Sequence, residues 1–357
     1  VEYGSAYPAA WPWSSSVVLA AQHVPATAIP SPQCQTQCGD VEIHYPFGIG
    51  VNCSLSGFNI TCKVQDGTTP KPFIGDFELL NISLANSTIR VMGFIATNCY
   101  NTTSEGMDLG GSVEFDASDT PYRFSDVHNK FTVIGCSTLG YIGSSNGAGY
   151  QSGCVSTCHN LSDLADGSCS GMGCCQTAIP KGMDYYDVDF ESTFDKVYIM
   201  SQIWRFSRCS YAMLIEAASI NFSTAYISTT KFNDINTGRV PVVLDWAIRS
   251  NGTTLCEVAR RNETGTYACL SRNSICVNST NGSGYVCNCF QGYEGNPYLP
   301  DGPDGCKDYN ECNDNPCPSG SVCHNTEGSH KCSCRAGTKY SEQRKTCNPD
   351  TGLIIGK

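Results

Sequence analysis

Residues 308–347 read DYNECNDNPCPSGSVCHNTEGSHKCSCRAGTKYSEQRKTC, with six cysteines in the spacing C-x4-C-x5-C-x8-C-x-C-x12-C. A segment of about 40 residues buries too little apolar surface to fold without additional cross-links. Disulfides supply that stability by restricting the unfolded chain. The segment therefore predicts a small disulfide-held domain.

Cysteine is abundant throughout the chain, which has 24 in 357 residues. Twelve lie within residues 256–347 and the other twelve within residues 34–209. Even counts at this density indicate disulfides and an oxidising compartment, and they exclude a reducing one. A zinc site is disfavoured because the chain has no CxxC pair.

Glycosylation signals point to the secretory route as well. Eleven N-x-S/T sequons occur, a number that predicts a glycoprotein. Asn52 is the least favourable, because Cys53 is its middle residue. We predict glycans at the other ten, namely Asn59, Asn81, Asn86, Asn101, Asn160, Asn221, Asn251, Asn262, Asn278 and Asn281.

The remaining pattern is mostly β. Between Cys34 and Ile248, short runs of alternating apolar residues are separated by Gly, Asn and Ser, as in strands and turns. The window 212–218 is compatible with a helix, and its context favours a strand. We predict a mostly β, disulfide-rich fold, in which a cysteine-rich β head of two subdomains precedes two further small modules.

The predicted organisation has six parts. They are an N-terminal arm or leader remnant (1–33), the two head subdomains divided at the Gly110-Gly111 pair (34–110 and 111–250), two cysteine-rich modules (251–307 and 308–347), and a tail (348–357). No apolar run reaches the roughly 20 residues that a spanning helix needs. The tail is read either as a truncated approach to a membrane helix or as a plain end.

The spacing of residues 308–347 resembles an EGF-like module, and the cysteines of residues 256–306 resemble a less regular one. Such modules pair their cysteines first with third, second with fourth and fifth with sixth. The resemblance therefore implies the disulfides Cys256–Cys276, Cys269–Cys287, Cys289–Cys306, Cys312–Cys323, Cys317–Cys332 and Cys334–Cys347.

The last module also resembles the calcium-binding variety, because DYNE precedes its first cysteine and NTEGSH lies between the third and fourth. Calcium takes six to eight oxygen ligands. The resemblance implies side-chain ligands from Asp308, Glu311 and Asn325, and backbone carbonyl ligands from Tyr309, Thr326 and Ser329. His330 stands where that pattern has Tyr or Phe.

The head carries ordered motifs of its own. They include CQTQCGD at 34–40, IHYPFGIG at 43–50, GCVSTC at 153–158, GCCQ at 173–176 and LDW at 244–246. This set resembles the ectodomain of plant wall-associated receptor kinases. The resemblance implies an extracellular, plasma-membrane-attached receptor whose head binds pectin or oligogalacturonides, with a cytosolic Ser/Thr kinase outside this sequence.

Charge restricts how such a head would hold a polyanion. Residues 34–110 contain seven acidic side chains and three basic ones, the candidate ligand-binding residues Lys63, Lys71 and Arg90. Binding would need clustered basic residues, calcium bridges between carboxylates, or an esterified or neutral ligand. Tyr45 and Phe47 are read as a buried corner in preference to an exposed sugar platform.

We expect a non-catalytic ectodomain, since the sequence has no kinase motif or GxSxG element. The acidic run from Asp184 to Asp195 favours a solvated strand face over a glycosidase pair. The acidic surface disfavours nucleic acid. A protein co-receptor and self-association are further conceivable partners. The alternatives are a secreted structural or adhesive wall glycoprotein without a kinase, and a wall enzyme.

Overall fold

The computed structural model describes residues 17–18, 30–31, 33–64, 69–111, 113–144, 149–249, 255–261, 267–341 and 346–349. The predicted arm (1–33), the tail (348–357) and the sequons at Asn251 and Asn262 fall wholly or largely outside these residues. The chain forms two compact units. The head unit comprises Val1–Thr254 and Ser279–Gly284, and the EGF unit comprises Leu255–Asn278 and Tyr285–Lys357.

The head unit is built from short strands. They are β1 (Val17–Val18), β2 (Gln37–Cys38), β3 (Val41–Glu42), β4 (Gly48–Ile49), β5 (Asn59–Lys63), β6 (Lys71–Ile74), β7 (Phe77–Ser83), β8 (Thr88–Phe94), β9 (Ala96–Asn101), β10 (Gly106–Leu109), β11 (Val113–Asp116), β12 (Tyr122–Phe124), β13 (Asn129–Ile134), β14 (Thr138–Gly143), β15 (Gln151–Ser156), β16 (Cys174–Thr177), β17 (Tyr185–Phe190), β18 (Cys209–Glu216) and β19 (Arg239–Trp246). Its helices are α1 (Thr193–Met200), α2 (Ala225–Ser228) and α3 (Lys231–Asn236), with 3₁₀ turns at Leu161–Asp163, Ile203–Arg205 and Ala217–Ser219.

Alternation of buried and outward residues explains these strands. In β17, Tyr186, Val188 and Phe190 are buried while Asp187 and Asp189 point outward. Strands β7 and β8 pair antiparallel as a hairpin. The ambiguous window is mainly strand, since β18 continues to Glu216. The prediction of a mostly β, disulfide-rich fold is confirmed.

Three large sheets organise the described part of the head unit. Their strand orders are β1-β11-β17-β14-β15, β10-β9-β18-β13-β16 and β12-β19-β8-β7-β6-β5-β4. In the third sheet, β8 pairs with β19, which places Val91 opposite Val242. In the second, β9 pairs with β18, and Cys99 lies opposite Cys209.

These pairings contradict a subdomain boundary at residue 110. Strands from before and after that position share two of the sheets, so no separate 34–110 and 111–250 domains form. The glycine pair has a packing role instead of a linker role. A Cβ on Gly110 would lie 2.0 Å from Oγ1 of Thr97, and Gly111 has a φ of +115°.

Aromatic side chains fill the core between the sheets. Phe115 stacks on Phe77 with ring centroids 3.8 Å apart and meets Phe124 edge-on at 4.8 Å. A second cluster joins the start of the head to its last strand, because Phe47 lies edge-on to Phe58 at 5.1 Å and to Trp246 at 5.4 Å. Tyr45 and Phe47 are both buried, as the corner interpretation predicts.

Disulfides reinforce the head unit, and each of its cysteines is bonded. The pairs are Cys34–Cys53, Cys38–Cys62, Cys99–Cys209, Cys136–Cys158, Cys154–Cys175 and Cys169–Cys174. The adjacent Cys174 and Cys175 bond to different partners, since neighbouring cysteines rarely meet disulfide geometry.

The EGF unit consists of two-stranded ribbons. Its elements are α4 (Cys256–Arg261), β20 (Ser274–Asn278), β21 (Tyr285–Cys289), β22 (Tyr293–Glu294), β23 (Lys307–Asp308), a 3₁₀ turn (Glu311–Asp314), β24 (Ser321–Thr326), β25 (Ser329–Cys334), β26 (Thr338–Ser341) and β27 (Thr346–Pro349). Its six disulfides are the pairs that the EGF resemblance implies. Ser279–Gly284, assigned above to the first module, instead belongs to the head unit.

Candidate functional site

A groove on the head unit brings cationic and acidic side chains together. It encloses about 390 Å³. Its lining residues come from β5, β6, β7, the β6–β7 turn and the start of β19. They are Lys63, Phe73, Asp76, Glu78, Thr237 and Arg239.

Aromatic rings position the two cations of this groove. The Lys63 ammonium lies 4.7 Å from the centroid of the Phe73 ring, and the Arg239 guanidinium lies 5.2 Å from that of Phe94. A cation over a ring face is attracted by the ring quadrupole while its outer side keeps its donors. The rings therefore hold both charges in place without neutralising them.

An ion pair sets the charge at the rim of the groove. Lys71 Nζ lies 2.7 Å from Oε1 of Glu78, and the Glu78 side chain is the less exposed of the two. The lining itself holds two cations, Lys63 and Arg239, and two carboxylates, Asp76 and Glu78. Its formal charges balance, within a head whose residues 34–250 carry 21 acidic and 12 basic side chains.

Two differences from the sequence-based candidates stand out. Arg90 lies outside the groove lining, and its Nε and Nη2 bind the same Glu216 oxygen at 2.7 and 2.6 Å, which fastens β8 to β18. Arg239 was not among the candidates, because it follows them by almost 150 residues. Only the pairing of Arg239 with Phe94 at the end of β8 brings it to the groove.

The EGF unit holds the second candidate site, around the predicted calcium ligands. Asp308 Oδ2 accepts a hydrogen bond from Asn325 Nδ2 at 2.6 Å, and its Oδ1 accepts one from Gly328 N–H at 2.5 Å. The structure therefore brings the β23 carboxylate and the β24 carboxamide into contact. Calcium would require the Asn325 carboxamide to turn and present its oxygen.

The other predicted ligands fit the same chemistry. Glu311 Oε2 is buried and has no hydrogen-bond partner within the described residues, so this carboxylate oxygen remains available to a cation. Thr326 and Ser329 face each other across the β24–β25 ribbon, where Thr326 Oγ1 donates to the Ser329 carbonyl at 2.9 Å. The Tyr309 hydroxyl donates a hydrogen bond to the Asp314 carboxylate. This bond does not use the backbone carbonyl of Tyr309, which is the predicted calcium ligand.

The same unit also contains the joint between its two modules. Strand β22 of the first module pairs with β23 of the second, with Tyr293 opposite Asp308. Tyr309 N–H donates to the Gly292 carbonyl at 2.9 Å. A Cβ on Gly292 would lie 2.2 Å from the Gly328 carbonyl oxygen, so the two modules meet backbone to backbone beside the calcium ligands.

Sulfur and histidine come together in the second module, where Cys317, His330 and Cys332 have their ligand atoms within 4.8 Å of one another. The two cysteines are bonded to each other, so neither offers a thiolate. This cluster is a disulfide with an adjacent imidazole.

The acidic run of β17 forms an outward strand face beside a second, smaller cavity. Glu114 lies opposite Asp187, and Tyr141 lies opposite Asp189. Partial burial, followed by the charges of Asp189 and Glu114, raises the pKa of Asp187. Like charges placed directly opposite repel each other. The carboxylates of β17 lie on one face of the strand, which is the arrangement that the sequence favours.

The predicted glycosylation sites differ in their exposure. Asn59, Asn81, Asn86, Asn160, Asn221 and Asn278 are exposed, and Asn101 is partly buried. Asn281 does not fit the prediction. Its side chain is only 2% exposed, and its Nδ2 donates to Phe124 O at 2.9 Å and to Asp245 Oδ2 at 2.7 Å.

Within the part of the chain that the structure describes, none of the helices has the length and apolar character needed to cross a membrane.

Comparisons with known proteins identify two family models and several relatives that match this chain. Residues 34–93 match the model of the wall-associated receptor kinase galacturonan-binding family, and residues 308–347 match that of the calcium-binding EGF domain. Wall-associated receptor kinase 2 of Arabidopsis thaliana is 35% identical over 86% of this chain. Wall-associated receptor kinases 5 and 1 of the same plant are 35% and 32% identical over 90% and 89%.

The alignments cover only part of those relatives. The chain spans 39% of the length of wall-associated receptor kinase 2 and 41% of the lengths of kinases 5 and 1. The match includes the region that resembles an ectodomain, and no kinase domain is found in this sequence.

Proposed function

Because this chain has the ectodomain architecture of the wall-associated receptor kinases, we propose that it is the extracellular ligand-binding part of a receptor at the plant cell surface. Its ligand would be a pectic polysaccharide or an oligogalacturonide. Its role would be to sense the state of the cell wall for a signalling domain elsewhere in the protein.

The observation that carries the proposal is the groove of Lys63 and Arg239. Four of its six lining residues lie within residues 34–93, the segment that matches the galacturonan-binding model. Uronate carboxylates are bound by cations that keep free donors, and charge-assisted bonds of this kind contribute about 1.5 to 3 kcal/mol each. In an otherwise acidic head, Lys63 and Arg239 are the two cations of the groove that we assign to the carboxylates of the ligand.

A calcium ion in the second module is part of the proposal. Asp308, Glu311 and Asn325 would hold it through side chains, and Tyr309, Thr326 and Ser329 through carbonyls. The bound ion would supply positive charge between oxygens that otherwise repel one another. Since Asp308 belongs to the β22–β23 pair, the ion would stiffen the joint between the two modules.

Direct binding tests the groove. We expect Lys63→Ala and Arg239→Ala, made in the full chain, each to weaken the binding of a de-esterified oligogalacturonide about tenfold or more, as measured by calorimetry. The matched control is Lys196→Ala, which removes one positive charge from an exposed position on α1 and should leave the affinity unchanged.

Two further conditions separate the mechanisms. The fully methyl-esterified oligomer should bind much more weakly, because it lacks the carboxylates that the cations recognise. Binding that is lost on calcium chelation but unaffected by both groove substitutions would instead favour calcium bridging, and it would overturn the assignment of Lys63 and Arg239. Depolymerisation of pectin by the purified chain would support the rival enzyme hypothesis.

A further inference from the structure

Two N-glycosylation sequons stand three residues apart at Asn278-Ser279-Thr280 and Asn281-Gly282-Ser283. We propose that only Asn278 carries a glycan, and that Asn281 is an unmodified asparagine whose carboxamide is a structural part of the head unit. This pair of sequons therefore contains one modification site and one position at which a glycan is incompatible with the folded head unit, so that secreted, folded protein carries it unmodified.

The side chain of Asn281 uses all of its hydrogen-bonding groups within the head unit. One amide hydrogen goes to Phe124 O at 2.9 Å and the other to Asp245 Oδ2 at 2.7 Å. Its Oδ1 accepts from the Gly182 N–H at 2.6 Å. A carboxamide joined to three chain segments in this way acts as a cross-link between them.

The backbone around Asn281 is also held in place by hydrogen bonds. Its carbonyl accepts from Arg249 Nη2 at 2.8 Å, and the Ser279 N–H donates to the Gly284 carbonyl at 2.8 Å, which closes the turn. Gly284 has a φ of +113°, and a Cβ there would lie 2.9 Å from the Ile248 carbonyl oxygen. The end of the turn therefore packs closely at Gly284, where an added Cβ has no space.

The chemistry of glycan transfer conflicts with this arrangement. The amide nitrogen bonds to the anomeric carbon of an oligosaccharide carried on a lipid diphosphate, the bond from that carbon to the phosphate oxygen breaks, and one amide proton leaves with the lipid diphosphate. The product keeps a single N–H. A glycan on Asn281 would thus remove one buried hydrogen bond and place a sugar ring where the side chain is 2% exposed.

Asn278 meets the opposite conditions. It is exposed at the end of β20, and its Oδ1 accepts from the Cys256 N–H at 2.8 Å. This contact engages the oxygen and leaves Nδ2, the atom that receives the glycan, outside the bond. A glycan on Asn278 is therefore compatible with the folded EGF unit.

Glycopeptide mass spectrometry of the full chain, secreted from a eukaryotic host, tests the assignment. We expect a glycan on Asn278 and an unmodified Asn281. Ser283→Ala removes the second sequon but keeps Asn281, so its yield and melting temperature should equal those of the wild type. A glycan on Asn281 of the secreted, folded protein would overturn the proposal.

A matched pair of substitutions tests the structural role. Asn281→Asp keeps the shape and the acceptor of the side chain but replaces its two donors with a charge next to Asp245. We expect it to lower the melting temperature of the head by roughly 5 °C or more, or to prevent secretion. Asn278→Asp makes the same chemical change at an exposed position and should be secreted with a near-normal melting temperature. Equal behaviour of the two variants would contradict the role of Asn281.

Discussion

Some buried polar residues of the head link segments that are distant in sequence, a role that the residue type alone does not predict. Asn129 is fully buried, donates through Nδ2 to Ser125 O at 2.9 Å and Val243 O at 2.7 Å, and accepts from Val243 N–H at 2.9 Å. It therefore joins the turn before β13 to strand β19. In the sequence, Asn129 resembles any polar residue at a strand end, because its partner lies 114 positions away.

Asn129→Ala should destabilise the head strongly. Three hydrogen bonds would be lost and buried backbone groups left unsatisfied, a cost of about 3 kcal/mol. Denaturant unfolding followed by tryptophan fluorescence measures this cost, since all four tryptophans precede residue 254. Lys130→Ala, at the next position in β13, should change the stability by about 0.5 kcal/mol or less. An equally small change in Asn129→Ala would disprove the cross-linking role.

At the level of elements, residue patterns predict strands well and helices poorly. The strands of hairpin β7–β8 and of β17 could be predicted because buried and outward residues alternate along them. Helices α1 to α4 have between four and eight residues, too few for a helical period to stand out. Their stability comes from packing on the sheets, which local sequence does not encode.

The proposed calcium site at β23 and β24 predicts a measurable change in backbone protection. Adding calcium to the calcium-depleted full chain should slow amide hydrogen exchange in residues 307–310 and 325–329, with half-saturation at about 0.1 to 1 mM. Asn325→Ala removes one oxygen ligand and should abolish that protection. Asn288→Ala, in β21 of the first module, should retain it. Equal protection in wild type and Asn325→Ala would argue against the assigned ligands.

The close packing of the joint between the two modules can be tested by comparing two glycines with similar backbone conformations. Gly292 has a φ of +82° and no room for a Cβ, whereas Gly337 has a φ of +80° and no atom within 4 Å of its Cβ position. Both alanine variants incur backbone strain of about 1 kcal/mol. Only Gly292→Ala should also separate β22 from β23, which limited proteolysis between residues 292 and 309 would detect. Equal cleavage of the two variants would refute a close-packed joint.

On the scale of the whole molecule, the disulfide pairs of the EGF unit could be predicted from the sequence, and those of the head unit could not. The EGF pairs could be predicted because both modules resemble EGF-like modules, whose pairing order the resemblance supplies, and the structure has the same pairs. The head pairs could not, since twelve cysteines without a recognisable spacing leave the connectivity open. Of the cations that line the groove, Lys63 was among the residues that the sequence singles out, whereas Arg239 reaches the groove only through long-range strand pairing.

Loop length should decide how much each head disulfide stabilises the molecule. Cys99–Cys209 closes a loop of 110 residues and Cys169–Cys174 a loop of 5. Chain entropy gives about 5 kcal/mol for the first and about 2 kcal/mol for the second. Replacing each pair with alanines and measuring denaturant midpoints tests this order. A larger loss from the short loop would show that local packing outweighs chain entropy here.

The position of strand β19 in the sequence affects how the head folds during synthesis. It is the last strand of the head in sequence, yet it lies between β12 and β8 in the seven-stranded sheet, and its Trp246 completes the cluster with Phe47. A ribosome adding about 5 to 20 residues per second needs roughly 7 to 30 s to pass from the end of β8 to the start of β19. During this interval the edge of β8 that later pairs with β19 lacks that partner, and an unpaired strand edge favours aggregation of the nascent chain.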